Sequence, residues 1–411
     1  MGVRAVELRD IIRGLLPLSP SARRLGAWLD APGSPIGPRR LWAPRQVIRT
    51  VIGLMGLKLL ILGLAFVQAG PLRPEPFNLL LPHWPAGSQP TWESPLGGWD
   101  VGHYLYLAAS GYQAGDDSNA FFPLWPWVLR SLGILTGGVS PFAALLLASA
   151  MAAAAYFLLL CCAAAVGVLP AMRVACTLHA LAPGGLFFCV GYSESLFLLI
   201  LSLSLYLTVV VGVTGSLIPF VLLPLARPVG WFMLVPLLWV NLRCRTLRAT
   251  VGLLALVVGM GAYCLYMTAV AGRWDAAVLA ERGYPNAPSF DNALRLRTVI
   301  AAFCNAASYD GAMDSLLDRL GFVVALCTLP FLWRLWQPAA LFAFAVAMIP
   351  AFTNWFVSYK RYLMLGLPIF VFWGCVLCDQ RSRILRGLVY AALAALQFDC
   401  ARRFFQYQWA G

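Results

Sequence analysis

Apolar blocks long enough to form membrane-spanning helices recur along most of the chain. They lie near residues 47–69, 141–168, 173–190, 195–213, 217–240, 249–271, 319–335, 339–357, 361–378 and 387–405. A helix needs about 20 mostly apolar residues to cross the hydrocarbon core. Some blocks are short and some carry proline, so the pattern predicts an all-α polytopic membrane protein with about 9–12 transmembrane helices. The polar intervals divide the rest. Residues 1–46 form a basic segment in which Val6 to Leu16 has the pattern of a short interfacial helix. Residues 71–140 form a long loop rich in proline, glycine and tryptophan, with a surface helix expected over Val101 to Ser110. A second long loop spans 272–318, and 406–411 is a short tail after the membrane domain, 47–405.

Composition supports the membrane reading. The 411 residues are 61% hydrophobic and 11% charged, with a mean hydropathy of +0.77. A soluble domain carries about 25% charged residues. The net charge of +13 raises nucleic-acid binding as a question. Its placement answers it: Arg4, Arg9, Arg13, Arg23, Arg24, Arg39, Arg40, Arg45 and Arg49 precede the first block, as a cytoplasmic flank does. Nucleic acid is therefore not an expected partner. No cleavable signal peptide is evident, since the first apolar block begins near residue 47. The eleven cysteines show no metal-ligand spacing and fall mostly in apolar blocks, where cysteine is a small hydrophobe.

Parity from a cytoplasmic N-terminus puts the 71–140 loop outside. One block resists this count. A single crossing at 217–240 would carry Arg243, Arg245 and Arg248 outside, against the positive-inside rule. Pro224, Arg227, Pro228 and Gly230 interrupt that block, and proline breaks helical hydrogen bonding. The block is expected to be two short helices, out and back, with Arg227 at the outer turn. The 272–318 loop and Tyr359 to Tyr362 then also lie outside.

Four clusters on that face carry candidate chemistry. Trp99-Asp100-Val101-Gly102-His103-Tyr104 leads, followed by Gly111-Tyr112 and Ala120-Phe121-Phe122-Pro123-Leu124-Trp125-Pro126. An acid set among aromatics beside a membrane span is costly unless used or paired; it is otherwise a hydrated loop acid. His103 could titrate near neutral pH or simply bond within the loop. In Tyr192-Ser193-Glu194-Ser195, Glu194 either favours the first turn of the next helix or binds substrate hydroxyls. Arg227, within an apolar block, either snorkels or binds phosphate through its fork of donors. Lys360 and Arg361, in Ser358-Tyr359-Lys360-Arg361-Tyr362, are outer cations that call for an anionic partner, either a lipid-linked phosphate or headgroups in general. No Walker-type loop and no strong metal-ligand spacing is present.

These motifs, in this order and ending with Pro368 after Arg361-Tyr362, resemble the PIG-V family of mannosyltransferases over roughly residues 45 to 405. The resemblance implies a GT-C glycosyltransferase fold with a large first extracytoplasmic loop. It also implies a polyprenyl- or dolichyl-phosphate sugar donor and a catalytic carboxylate in that loop, the position matched by Asp100. The expected activity is transfer of a sugar, as in a mannosyltransferase, to a glycolipid or protein acceptor with inversion. Asp100 would be general base, Arg227, Lys360 and Arg361 would hold the donor phosphate, and Trp99, His103, Tyr104, Tyr192, Glu194 and Tyr359 would contact substrate, with Trp125 among the aromatics shaping the sugar site. A divalent metal could assist the phosphate, but no ligand set demands one. The arginine bias suggests a bacterial plasma membrane with the site on the extracytoplasmic face. A flippase or other transporter of lipid-linked sugars and a non-catalytic subunit of a glycosylation complex are the competing readings. The basic arm and the 272–318 loop carry no matching motif, which leaves the acceptor open.

Overall fold

The computed structural model describes residues 20–21, 45–70, 91–210, 212–244, 247–284, 287–379 and 382–410. The Val6 to Leu16 segment and most of the basic arm lie outside the described residues, as do residues 71–90 of the first loop. The described chain is almost entirely helical, and its only β feature is an isolated bridge between Ser308 and Ser315.

The first block forms α1 (Arg45–Ala69). The first loop carries α2 (Asp100–Ser110) and α3 (Leu124–Thr136). The α2 helix lies where the pattern predicts one, but it is packed into the protein rather than lying on a surface, with Val101, Tyr104, Leu105, Leu107 and Ala108 buried. Pro141 at the first turn and Ser140 as cap start α4 (Pro141–Val166), where the Ser140 hydroxyl accepts from Ala143 N at 3.3 Å. The next apolar stretch is α5 (Leu169–Leu181), and the α6 helix (Glu194–Val210) starts at the predicted acid. Ala144, Ala148, Ala152 and Ala155 are fully buried along one stripe of α4. Such small residues let helix backbones approach closely where apolar burial alone gives no preference over lipid.

The expected single helix over 173–190 is broken. After Leu181 the chain turns at Ala182 into a 3₁₀ segment, Pro183–Phe188. Buried side chains satisfy the freed carbonyls: Gln397 Nε2 donates to Ala180 O and Ala182 O at 2.7 and 3.0 Å, and Lys58 Nζ donates to Gly185 O. A broken helix inside a membrane protein requires such partners.

The block around Arg227 also divides as expected. The α7 helix (Leu217–Ala226) ends before Arg227, a 3₁₀ turn covers Pro228–Met233, and α8 (Leu234–Cys244) follows. Both short helices lean on the unbroken α9 (Leu247–Ala271). A side chain on Gly259 would strike Val221, Trp231 meets Tyr263 edge to face at 5.6 Å, and Asn241 Nδ2 reaches Thr250 Oγ1 at 3.2 Å. The chain thus ascends α9 through α7 and descends it through α8, with Arg227 at the turn. Gly230 fits against the Leu223 carbonyl, where a methyl group has no room.

The second loop contains α10 (Ala276–Ala280), α11 (Phe290–Leu294) and α12 (Leu296–Cys304). The C-terminal helices are α13 (Leu316–Leu335), α14 (Gln337–Thr353), α15 (Tyr359–Leu365), α16 (Leu367–Asp379) and α17 (Arg383–Phe405). The α15 and α16 helices are bent by 77° at their junction. Among the described residues, five helices are long and apolar enough to cross a membrane, or six if that bent pair is one span. Several further predicted spans are short or broken helices instead, among them Glu194–Val209, Leu217–Ala226 and Gln337–Thr353. The architecture is that of a multi-pass helical membrane protein.

The helix ends fall into two groups. Ala69, Asp100, Glu194, Arg227, Arg361 and Phe404 converge at one end. The helix termini that carry Arg45, Arg173, Arg243, Arg334 and Arg383 belong to the other.

Candidate active site

The converging end holds a charge network drawn from four separate parts of the chain. Asp100 opens α2, Glu194 opens α6, Arg227 follows α7 and Arg361 lies in α15. Arg361 is the hub. Its Nη1 meets Asp100 Oδ2 at 2.5 Å, and its Nε donates to Glu194 Oε1. Arg227 Nη1 lies 2.7 Å from Glu194 Oε2 and donates to Ser193 Oγ at 2.8 Å. Ser193 in turn shares a 2.7 Å hydrogen bond with Tyr104 OH. The guanidinium of Arg361 also stacks over Tyr192 at 4.5 Å and Phe187 at 5.4 Å.

Two carboxylates and two guanidinium groups make this network neutral. Burial is graded across it: the Glu194 side chain is fully buried, Arg227 is 7% and Arg361 13% exposed, and Asp100 is 25% exposed. Asp100 is thus the member that solvent reaches. It lines a small cleft, partly open to solvent, with Trp99, Phe187, Tyr192, Ser358, Arg361, Phe404, Trp409 and Ala410. Trp99 and Trp409 meet edge to face at 5.8 Å. The Trp409 indole N–H is buried without a hydrogen-bond partner among the described residues. The cleft thus pairs aromatic walls with one partly exposed carboxylate and one guanidinium.

The backbone around this cleft is strained. Trp99, Trp355, Phe356, Ser358 and Tyr407 have φ of 59°, 48°, 67°, 57° and 57°, a region that bulky side chains rarely adopt. Trp99 and Ser358 themselves line the cleft. Strain of this kind persists only where the surroundings over-determine it, and it clusters at functional sites.

The sequence-predicted residues fall into three groups. Asp100, Trp99, Tyr192 and Arg361 line the cleft; Glu194, Arg227 and Tyr104 stand behind it and hold its charges. His103 stacks on Phe121 at 4.7 Å, bonds Ser118 Oγ at 3.0 Å through Nδ1 and faces the Tyr284 hydroxyl at 3.5 Å. It ties the first loop to the second. Lys360 and Tyr359 point elsewhere. Lys360 Nζ pairs with Asp310, and its backbone N–H donates to Asp318 Oδ1 at 2.6 Å. Neighbouring residues on a helix project about 100° apart, so when Arg361 faces the cleft Lys360 cannot. Tyr359 is fully buried against Phe322 and Phe356, at ring distances of 5.7 and 6.2 Å. Trp125 is fully buried too, donating to Gly191 O at 2.9 Å.

Phe187, Phe404 and Trp409 are cleft residues that the sequence pattern does not single out. The one available signal was a tryptophan just beyond the last apolar block. Glu281 follows α10 in the second loop, and burial pushes its carboxyl up to about 7. Among the described residues no group of three or more His, Cys, Asp or Glu side chains comes together as a metal site. No family model, no curated protein and no solved structure matches this chain.

Proposed function

We propose that this chain is a membrane glycosyltransferase of the GT-C type, similar to the PIG-V mannosyltransferases. It transfers a sugar, mannose by that resemblance, from a polyprenyl-phosphate donor to a glycolipid or protein acceptor. The observation that carries the reading is the solvent-reached carboxylate of Asp100, held in an aromatic cleft beside Arg361. The helix ends that carry Arg45, Arg173, Arg243, Arg334 and Arg383 lie opposite the cleft, which supports an extracytoplasmic cleft by the positive-inside rule, although Arg402 and Arg403 close α17 on the cleft side.

The charge network suggests how binding and catalysis are linked. Arg361 neutralises Asp100. The donor phosphate is a second claimant for that guanidinium, and a fork of donors suits it well. As Arg361 turns to the phosphate, Asp100 is freed to accept the proton of the acceptor hydroxyl. The hydroxyl oxygen then bonds to the anomeric carbon, the bond to the phosphate oxygen breaks, and the lipid phosphate leaves with its negative charge beside Arg361. Glu194, itself held by Arg227, anchors the Arg361 Nε from behind while the outer nitrogens of Arg361 change partner. Lys360 has no part in this scheme, because its ammonium is spent on Asp310.

A transporter of lipid-linked sugars shares the need for cations among broken helices, and a non-catalytic subunit could retain the fold. Mass spectrometry of membrane glycolipids and glycoproteins, with and without the gene, separates these readings. Loss of a defined hexose from one product class, restored by the wild-type gene and not by Asp100→Asn, is the expected result. Restoration by Asp100→Asn refutes a catalytic role for that residue.

A further inference from the structure

The second loop presents a surface that the cleft does not use. The α12 helix turns Val299 inward, at 5% exposure, and leaves Leu296 and Ile300 on its outer side at 65% and 63%. Leu294 and Phe290, just before it, are 81% and 71% exposed. Arg295 and Arg297 flank Leu296, are exposed, and have no ion-pair partner among the described residues. Asp291 is the only acid in the segment 289–304, which leaves it with a net charge of +1 (two arginines less one aspartate).

This segment is firmly held. Asn292 Nδ2 donates to Thr353 O at 2.9 Å. Arg319, buried at 3% exposure, donates to Ala302 O at 2.7 Å and to Met313 O at 2.6 Å while stacking over Phe356 at 5.3 Å. Thr353 ends α14, and Arg319 lies in the first turn of α13. The α12 helix therefore sits at the level where two apolar helices stop. On α13, whose first turn holds Arg319, Leu316 and Leu320 are also 43% and 53% exposed. Nine residues of helix measure about 14 Å, too short to cross a core of about 30 Å. An apolar stripe edged by unpaired arginines at that depth matches a helix lying in the interface.

We propose that the 289–304 segment lies in the plane of the membrane at the cleft end, with Leu296 and Ile300 in the acyl boundary and Arg295 and Arg297 on the phosphates of anionic phospholipids. Its anchors, Thr353 and Phe356, lie just before and within the strained stretch that leads to Ser358 and Arg361. Lipid contact here braces one wall of the cleft. The proposal does not depend on the reaction assigned to that cleft.

Cys304, exposed at the end of the same helix, offers a label site. The full chain, with its other accessible cysteines replaced by alanine, is labelled there with an environment-sensitive fluorophore and placed in nanodiscs. Brominated phosphatidylglycerol and brominated phosphatidylcholine then serve as quenchers. Both should quench, with phosphatidylglycerol favoured, and the double variant Arg295→Gln/Arg297→Gln should lose that preference. An arginine at the surface contributes about fivefold in favour of an anionic lipid, so the pair should account for roughly twenty-five-fold. Absence of quenching by either lipid overturns the proposal, because the segment would then face water or another protein. Equal quenching by the two lipids also overturns it, because the arginines would not be reading charge.

Discussion

Replacing Arg361 by glutamine removes the hub of the charge network. Glu194 is fully buried and would keep only Arg227, at 2.7 Å. Breaking one side of a buried ion pair costs about 3–5 kcal/mol, and the remaining partner argues for the lower figure. Asp100 is 25% exposed, so its lost pair adds about 1 kcal/mol at most. The sum is about 4 kcal/mol. For a chain of 411 residues the usual unfolding entropy turns this into a fall in Tm of about 5 °C. Lysine at 361 supplies charge without the fork, so it should recover about half of the loss. Scanning fluorimetry of the purified protein in nanodiscs reads both variants, with Arg282→Gln, at an exposed loop position, as the control. A glutamine variant that melts with the wild type would refute the claim that Arg361 holds these carboxylates. The two readouts should also separate: Arg361→Lys is expected to recover about half of the lost stability and still be slow in transfer.

Two further changes test other parts of the account. Because burial raises the Glu281 carboxyl to about 7, above its unfolded value, the folded protein holds that proton more tightly. This contribution to stability is full below about pH 4.5 and fades as pH rises to about 7. Since the residue is half-buried, Glu281→Gln should raise stability at pH 8 by only about 1 kcal/mol and flatten the slope between pH 5 and 7.5; an unchanged slope assigns it to another group. Gly230→Ala should cost about 3 kcal/mol, because its methyl group has no space beside the Leu223 carbonyl, and should weaken donor binding by displacing Arg227. Wild-type melting and wild-type KM together would rule out the tight turn.

Much of the fold was legible because lipid imposes a simple rule: long apolar runs must be helices. The turn at Arg227 could be read from two prolines, a glycine and the arginines after it, since charge and backbone chemistry pointed the same way there. The break after Leu181 could not, because the groups that permit it, Lys58 and Gln397, are remote in sequence. Asp100, Glu194, Arg227 and Arg361 were each visible as a charge among apolar residues. Which of two adjacent cations faces the cleft was not visible, because only tertiary packing sets the rotation of α15. The same holds for Phe187, Phe404 and Trp409, which look like ordinary apolar residues until the chain brings them together.

The most direct measurement follows the fate of a defined donor. Wild-type protein and Asp100→Asn, both in nanodiscs with a lipid extract as acceptor source, are incubated with a synthetic polyprenyl-phosphate mannose. Mass spectrometry then quantifies released polyprenyl phosphate and new mannosylated products. The account predicts that both accumulate together with the wild type and that neither rises above background with Asp100→Asn, although the variant still binds donor. Product formation by Asp100→Asn at a rate near the wild type would contradict it.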